Sequence, residues 1–148
     1  MRFSGIYEPT GFAPSNYVEY VVDPILARYE MEPMANDLAV AATIVLWHTI
    51  DHIAAMSNNT LTDIRTKVRD IEPKIDYLHA AVTVIKHNNI EHSPAKFKAM
   101  NAVLQYSITL TINGETASTP PFYKFNDGAN FPVIDLLKDC RLALGRFI

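Results

Sequence analysis

The chain predicts a mainly α fold, a helical bundle of four to five helices with a small antiparallel β-hairpin near the C-terminus. Three observations predict it. Apolar residues recur at three- and four-residue spacing through most of the chain up to His92. Prolines, rather than Gly/Ser tracts, mark the breaks. One alternating run rich in Tyr, Ile and Thr, Val103 to Ile112, is followed by Asn113-Gly114, the strongest short hairpin signal. At 148 residues, 49% hydrophobic and 20% charged, the composition fits one globular domain with a packed core. The expected layout is a single domain, 1–148, with a helical core over about 15–92, the hairpin over about 103–125 and a terminal helix over about 131–147.

Taken in order, Ser15 is placed to cap a first helix that turns Val18, Val21, Val22, Ile25 and Tyr29 inward. Pro24 leaves two readings: a kink, or a second helix opened by Asp23-Pro24. The next helix begins near Pro33 or Asn36 and runs to about Met56, ending at Ser57-Asn58-Asn59. It is apolar on most sides, as a central helix should be. Thr62 and Asp63 then start a short helix through Ile64, Val68 and Ile71. Glu72-Pro73 opens another, carrying Ile75, Leu78, Val82 and Ile85 and ending around His87 to Asn89. Ser93-Pro94 breaks the chain before the hairpin, whose returning strand, Glu115 to Thr119 and Tyr123 to Phe125, is interrupted by Pro120-Pro121. Asp127-Gly128 turns again, and Pro132 starts the last helix, with Ile134, Leu137, Leu144 and Phe147 available for packing.

Several function classes lose support. A net charge of −3 leaves no general phosphate-binding footprint. The Leu38 to Trp47 run is shorter than the roughly 18 apolar residues a membrane span needs. Met1 to Thr10 has a single Arg2 and no sustained apolar stretch, which points away from a secretory signal. The single Cys140 excludes an internal disulfide and points to the cytoplasm; among Leu136, Leu137 and Leu144 it reads as a small hydrophobe. Dinucleotide, P-loop and nucleophile-elbow motifs do not occur, and no cofactor is indicated. Trp47 and the aromatics Tyr7, Phe12, Tyr17 and Tyr20 read as packing groups.

Chemistry concentrates in two clusters. His48, Asp51 and His52 share one helical face in the segment Trp47-His48-Thr49-Ile50-Asp51-His52. Two histidines one turn apart with a carboxylate could ligate a metal, with His79 and His87 facing them across the bundle. The same set could instead be a buried network, Asp51 pairing with a histidine, Lys86 or His87 and so uniting both clusters in one polar cleft. The second cluster is Lys86-His87-Asn88-Asn89-Ile90-Glu91-His92. Here Lys86 and His87 could simply cap helix carbonyls.

A helix ending in His-x-x-Asp and a later one ending in Lys-His resemble a group of bacterial helical proteins, the likeness running from about Pro24 but implying no activity. More remotely, the chain resembles the HEPN superfamily, many of whose members are dimeric, metal-independent ribonucleases. Their motif is an Arg followed four to six residues later by a His; Lys86 and His92 keep the spacing with Lys in place of Arg. The resemblance implies RNA or a nucleotide as partner, a homodimer, His87 or His92 as acid or base, and Lys86 stabilising phosphate charge. Two classes stand: an interaction or nucleotide-binding module using His48, Asp51, His52, Lys86 and His87, or an enzyme cleaving RNA or using a metal in the same cleft.

Overall fold

The structure, a computed structural model, describes residues 13–87 and 102–148. Pro14 stands in the first helical turn, where its missing N–H costs nothing. Ala13 is the N-cap, with no side-chain cap bond, so Ser15 does not cap this helix. From there helix continues through three pieces: α1 (Pro14–Tyr17), a π-helical turn (Val18–Val22) and α2 (Asp23–Met31). Pro24 is the physical reason for the wide turn. Its nitrogen cannot donate to the carbonyl four residues back and its ring needs room. The helix widens instead of ending, and the Asp23 N–H donates to the Val18 carbonyl five residues back. Val18, Val22, Leu26 and Tyr29 face inward.

Central to the fold is α3 (Asn36–Ser57), closed by Asn58 in the left-handed region at φ 54°. Ala39, Ala42, Leu46 and Ile50 are fully buried along it, and α1, α2, the π turn and the three later helices all pack against it. By length and composition alone α3 is long and apolar enough to cross a membrane; here it is the core helix. The next helix, α4 (Leu61–Ile71), starts from Thr60 rather than Thr62. The Thr60 hydroxyl accepts from the Asp63 N–H at 3.1 Å while Asp63 accepts from the Thr60 N–H at 3.2 Å, a reciprocal cap. Ile75, Leu78 and Val82 of α5 (Ile75–His87) are buried as their spacing predicts.

Five strands follow: β1 (Ala102–Gln105), β2 (Ile108–Ile112), β3 (Glu115–Thr119), β4 (Phe122–Phe125) and β5 (Asn130–Pro132). The expected hairpin is present, turning at Asn113 (φ 53°) and Gly114 (φ 79°), the left-handed pair of a tight hairpin turn. Its base belongs to a three-stranded antiparallel sheet ordered β1-β4-β5, so β5 is a strand beyond the hairpin. Helix α6 (Val133–Leu144) closes the core with Val133, Leu136, Leu137, Cys140 and Leu144. Cys140 is fully buried, and burial holds its thiol well above the usual range.

One polar clip fastens sheet to helices. Thr43 Oγ1 donates to the Ala39 carbonyl at 2.7 Å, which uses its only proton. The buried Tyr123 hydroxyl, 2.7 Å from the same oxygen, is therefore the donor. Beside it Tyr77, Phe125 and Phe131 form an aromatic cluster with centroids 4.6 to 6.0 Å apart.

Leu46→Ala should cost about 2–5 kcal/mol in urea unfolding, because nothing around the enclosed α3 can collapse into the space. A second expectation concerns alkali. Burial is the main cause pushing the Tyr17 and Tyr123 hydroxyls from 10.0 up to about 12, and it raises Tyr29 as well. The folded state then keeps protons that the unfolded chain releases, so stability is complete below pH 10 and falls as pH rises from about 10 towards 12. Melting temperature against pH should show this fall. Tyr29→Phe should flatten it, and because the Tyr29 hydroxyl is buried without a partner the variant should lose little stability at neutral pH.

Candidate functional site

The His48, Asp51 and His52 face lies on α3 beside α1. His48 Nδ1 is 2.6 Å from Asp51 Oδ2, with the two side chains 37% and 41% exposed. A carboxylate only accepts, so Nδ1 carries the proton and Nε2 is the ring nitrogen left for other work. The His52 ring stacks on Tyr17, centroids 4.1 Å apart at 23°. The Tyr17 hydroxyl in turn donates to the Val45 carbonyl at 2.8 Å, pinning α1 to α3. Burial first, and then the negative charge of Asp51, account for the raised Tyr17 pKa.

This geometry corrects the metal reading. Among the described residues no group of three His, Cys, Asp or Glu side chains could hold a metal ion. Asp51 Oδ2 meets His48 Nδ1 and the His52 ring lies on Tyr17. Nor does His79 face them, since its ring stacks on Trp47 at 4.5 Å and 7° and its Nδ1 lies 2.8 Å from Arg65 Nη1.

Lys86 of the second cluster does not join the His48–Asp51 pair. Val40 of α3 lines a groove with Val84 and Ile85 of α5, and Trp47 meets His79, so the two helices run antiparallel. From Val40 to Asp51 the helical rise of about 1.5 Å per residue amounts to about 16 Å. Lys86, exposed at the far end of α5, is thus beside the wrong end of α3 for Asp51, and the expected Asp51 to Lys86 link is replaced by Asp51 to His48. The His87 side chain, Glu91 and His92 lie outside the described residues, as do Tyr7 and Phe12. Trp47 is core, as expected, but Tyr20, expected to pack, is 71% exposed.

A further polar system joins α4, α5 and α3. Asp76 accepts from Arg69 Nε at 2.6 Å and Nη2 at 2.7 Å, and Arg65 Nε stands 3.9 Å from the same carboxylate. Because Arg65 can only donate, His79 Nδ1 accepts, which places the His79 proton on Nε2. Arg65 and Asp76 are 13% and 20% exposed, and burial lowers the Arg65 pKa against the pull of Asp76. Only His79 of this set stands out in a search for metal ligands. The signal for the rest is opposite charge at helical spacing across a short turn: Arg65 and Arg69 at i, i+4, then Asp76 and His79 at i, i+3. Its contacts are those of a strut, with every named charge engaged between helices.

No family model, curated protein or solved structure matches this chain.

The two polar systems should respond differently to mutation. Asp76→Ala strands two part-buried guanidinium groups and should cost about 2–4 kcal/mol in urea unfolding. Asp51→Ala, in a far more exposed pair, should cost under about 1 kcal/mol.

Proposed function

We propose that the chain is a cytoplasmic helical interaction module of HEPN-like form that takes a nucleotide or a short single-stranded RNA on the α1–α3 face. The observation that carries this reading is the half-exposed His48–Asp51 pair next to the stacked Tyr17–His52 rings. A nucleobase needs a flat apolar neighbour and polar atoms in its plane. Tyr20, one helical turn from Tyr17 and 71% exposed, and the His52 ring supply the first; His48 Nε2 and the remaining Asp51 lone pairs supply the second. Recognition through base stacking also suits a chain of net charge −3, for which general phosphate attraction is weak. A cytoplasmic setting suits the lone, reduced thiol of Cys140.

The exposed Lys86 at the C-terminal end of α5 is accounted for by the helix dipole, which favours binding over catalysis. The enzymatic alternative is the metal-independent ribonuclease using Lys86, His87 and His92.

Fluorescence anisotropy with a labelled single-stranded RNA tests the proposal. Tyr20→Ala should weaken binding about 5- to 100-fold, the size of one lost base stack, and His48→Ala about 2- to 10-fold, the size of one lost hydrogen bond. Melting should be unchanged in Tyr20→Ala, whose side chain is exposed. Failure of the native chain to bind RNA or any nucleoside monophosphate ends this reading. Cleavage of the RNA, abolished in Lys86→Ala, would replace it with the ribonuclease.

A further inference from the structure

Among the described residues, the β2–β3 hairpin presents an apolar face with Ile108, Leu110 and Ile112 exposed. Gln105 stands opposite Phe122 and Ile108 opposite Thr119, so the ladder crosses Pro120-Pro121 without gaining or losing a residue. Side chains therefore keep the same parity along both strands. At the base of the ribbon this face carries Ala102, Leu104, Tyr123 and Phe125, which cover the helices. Beyond the base it carries Ile108, Leu110 and Ile112, exposed by 46%, 59% and 68%. The opposite face is sealed by its own hydroxyls, Thr109 to Ser118 at 2.8 Å and Thr111 to Thr116 at 3.1 Å. A two-stranded ribbon with one apolar face is marginal by itself. Its root is nevertheless held in place: the Ser107 N–H donates to Asn36 Oδ1 at 2.9 Å, tying the arm to the start of α3.

We propose that this arm is a self-association surface, seated in a second copy of the chain along the groove formed by Val40, Val84, Ile85, Val103, Leu104 and Tyr106. Charge selects the occupant. From Ser107 to Thr119 the arm has one ionisable side chain, Glu115, and no cation to meet nucleic acid phosphate or an anionic membrane. Among the described residues Ile85, next to the exposed Lys86, lines the groove, so an arm laid along it can bring Glu115 towards the opposite charge. Position selects the geometry. Val103, Leu104 and Tyr106 line the groove immediately before the arm departs at Ile108, so a two-fold axis near the root places each arm on the other copy's groove and closes the pair. Size points the same way. Two arms in two grooves also cover Val103 and Tyr106, 59% and 58% exposed, which arm packed on arm leaves open.

This inference does not depend on RNA binding and is tested on the full chain by sedimentation velocity over a concentration series. The native chain should be a dimer. Leu110→Lys should weaken it at least tenfold with the helical circular dichroism unchanged, while Thr111→Lys, on the other face, should leave it intact. Glu115→Lys and Lys86→Glu should each weaken the dimer, and the two together should restore it, which a merely misfolded arm would not do. A native chain that stays monomeric, a dimer indifferent to Leu110→Lys, or a charge exchange that fails to restore association overturns the proposal.

Discussion

A helix that is apolar on nearly every side has to be enclosed, and α3 imposes that condition on the rest of the chain. Its buried positions, from Ala39 and Ala42 to Ile53 and Ala54, form one broad face along its 22 residues, with His48 and Asp51 part-exposed outside it. No single partner can cover such a surface. Each neighbouring helix therefore needs only one apolar stripe: Ile64 and Val68 on α4, Ile75, Leu78 and Val82 on α5, Leu136, Leu137 and Leu144 on α6. The small sheet takes the remaining side with Tyr123 and Phe125. Alanines at Ala39 and Ala42 let these layers approach closely, while Trp47 stacks on His79 of α5.

Enclosure also decides where polar groups can survive. Within the core, Thr43 is tolerated because its proton goes to its own helix and its lone pair takes the Tyr123 hydroxyl. At the edge between α4 and α5 the charges of Arg65, Arg69 and Asp76 are partly desolvated, so their attraction is less screened and each holds the others in place. His48 and Asp51 sit where water screens them, and their pairing contributes little to the fold. The same residue types thus act as a brace in one place and as an accessible dyad in the other, and exposure makes the difference.

Periodicity carried most of the fold. The helical spacing of Ile75, Leu78 and Val82, the Asn113-Gly114 turn and the Pro120-Pro121 interruption are local signals, and local physics reads them correctly. The π turn before Pro24 was not legible, because sequence gives a conflict there and packing of Val18, Val22 and Leu26 chooses the outcome. Strand β5 was missed since three residues of Asn-Phe-Pro carry no alternation; only pairing with Phe122 to Lys124 makes them a strand. At the candidate site, i, i+3 spacing foresaw the His48–Asp51 contact. It could not foresee that Tyr17, 35 residues before His52, would claim that ring, nor that antiparallel packing would carry Lys86 to the far end of α3.

The arm shows what alternation means when no core lies beneath it. On a ribbon open to solvent on both sides, placing Ile108, Leu110 and Ile112 on one side and Thr109 and Thr111 on the other gains only small cross-strand contacts such as Thr109–Ser118 and Thr111–Thr116. Segregation is useful only where one face is buried, and because side chains alternate strictly, a shift by one residue would put the threonines on the inner side instead. Tyr123 and Phe125 fix the register at the base by anchoring their face in the helical core. That anchor determines which face of the distal strands is apolar and where it starts. The arm therefore inherits its orientation from the core, and with the Asn36 bond at its root it has a defined direction before any second surface meets it.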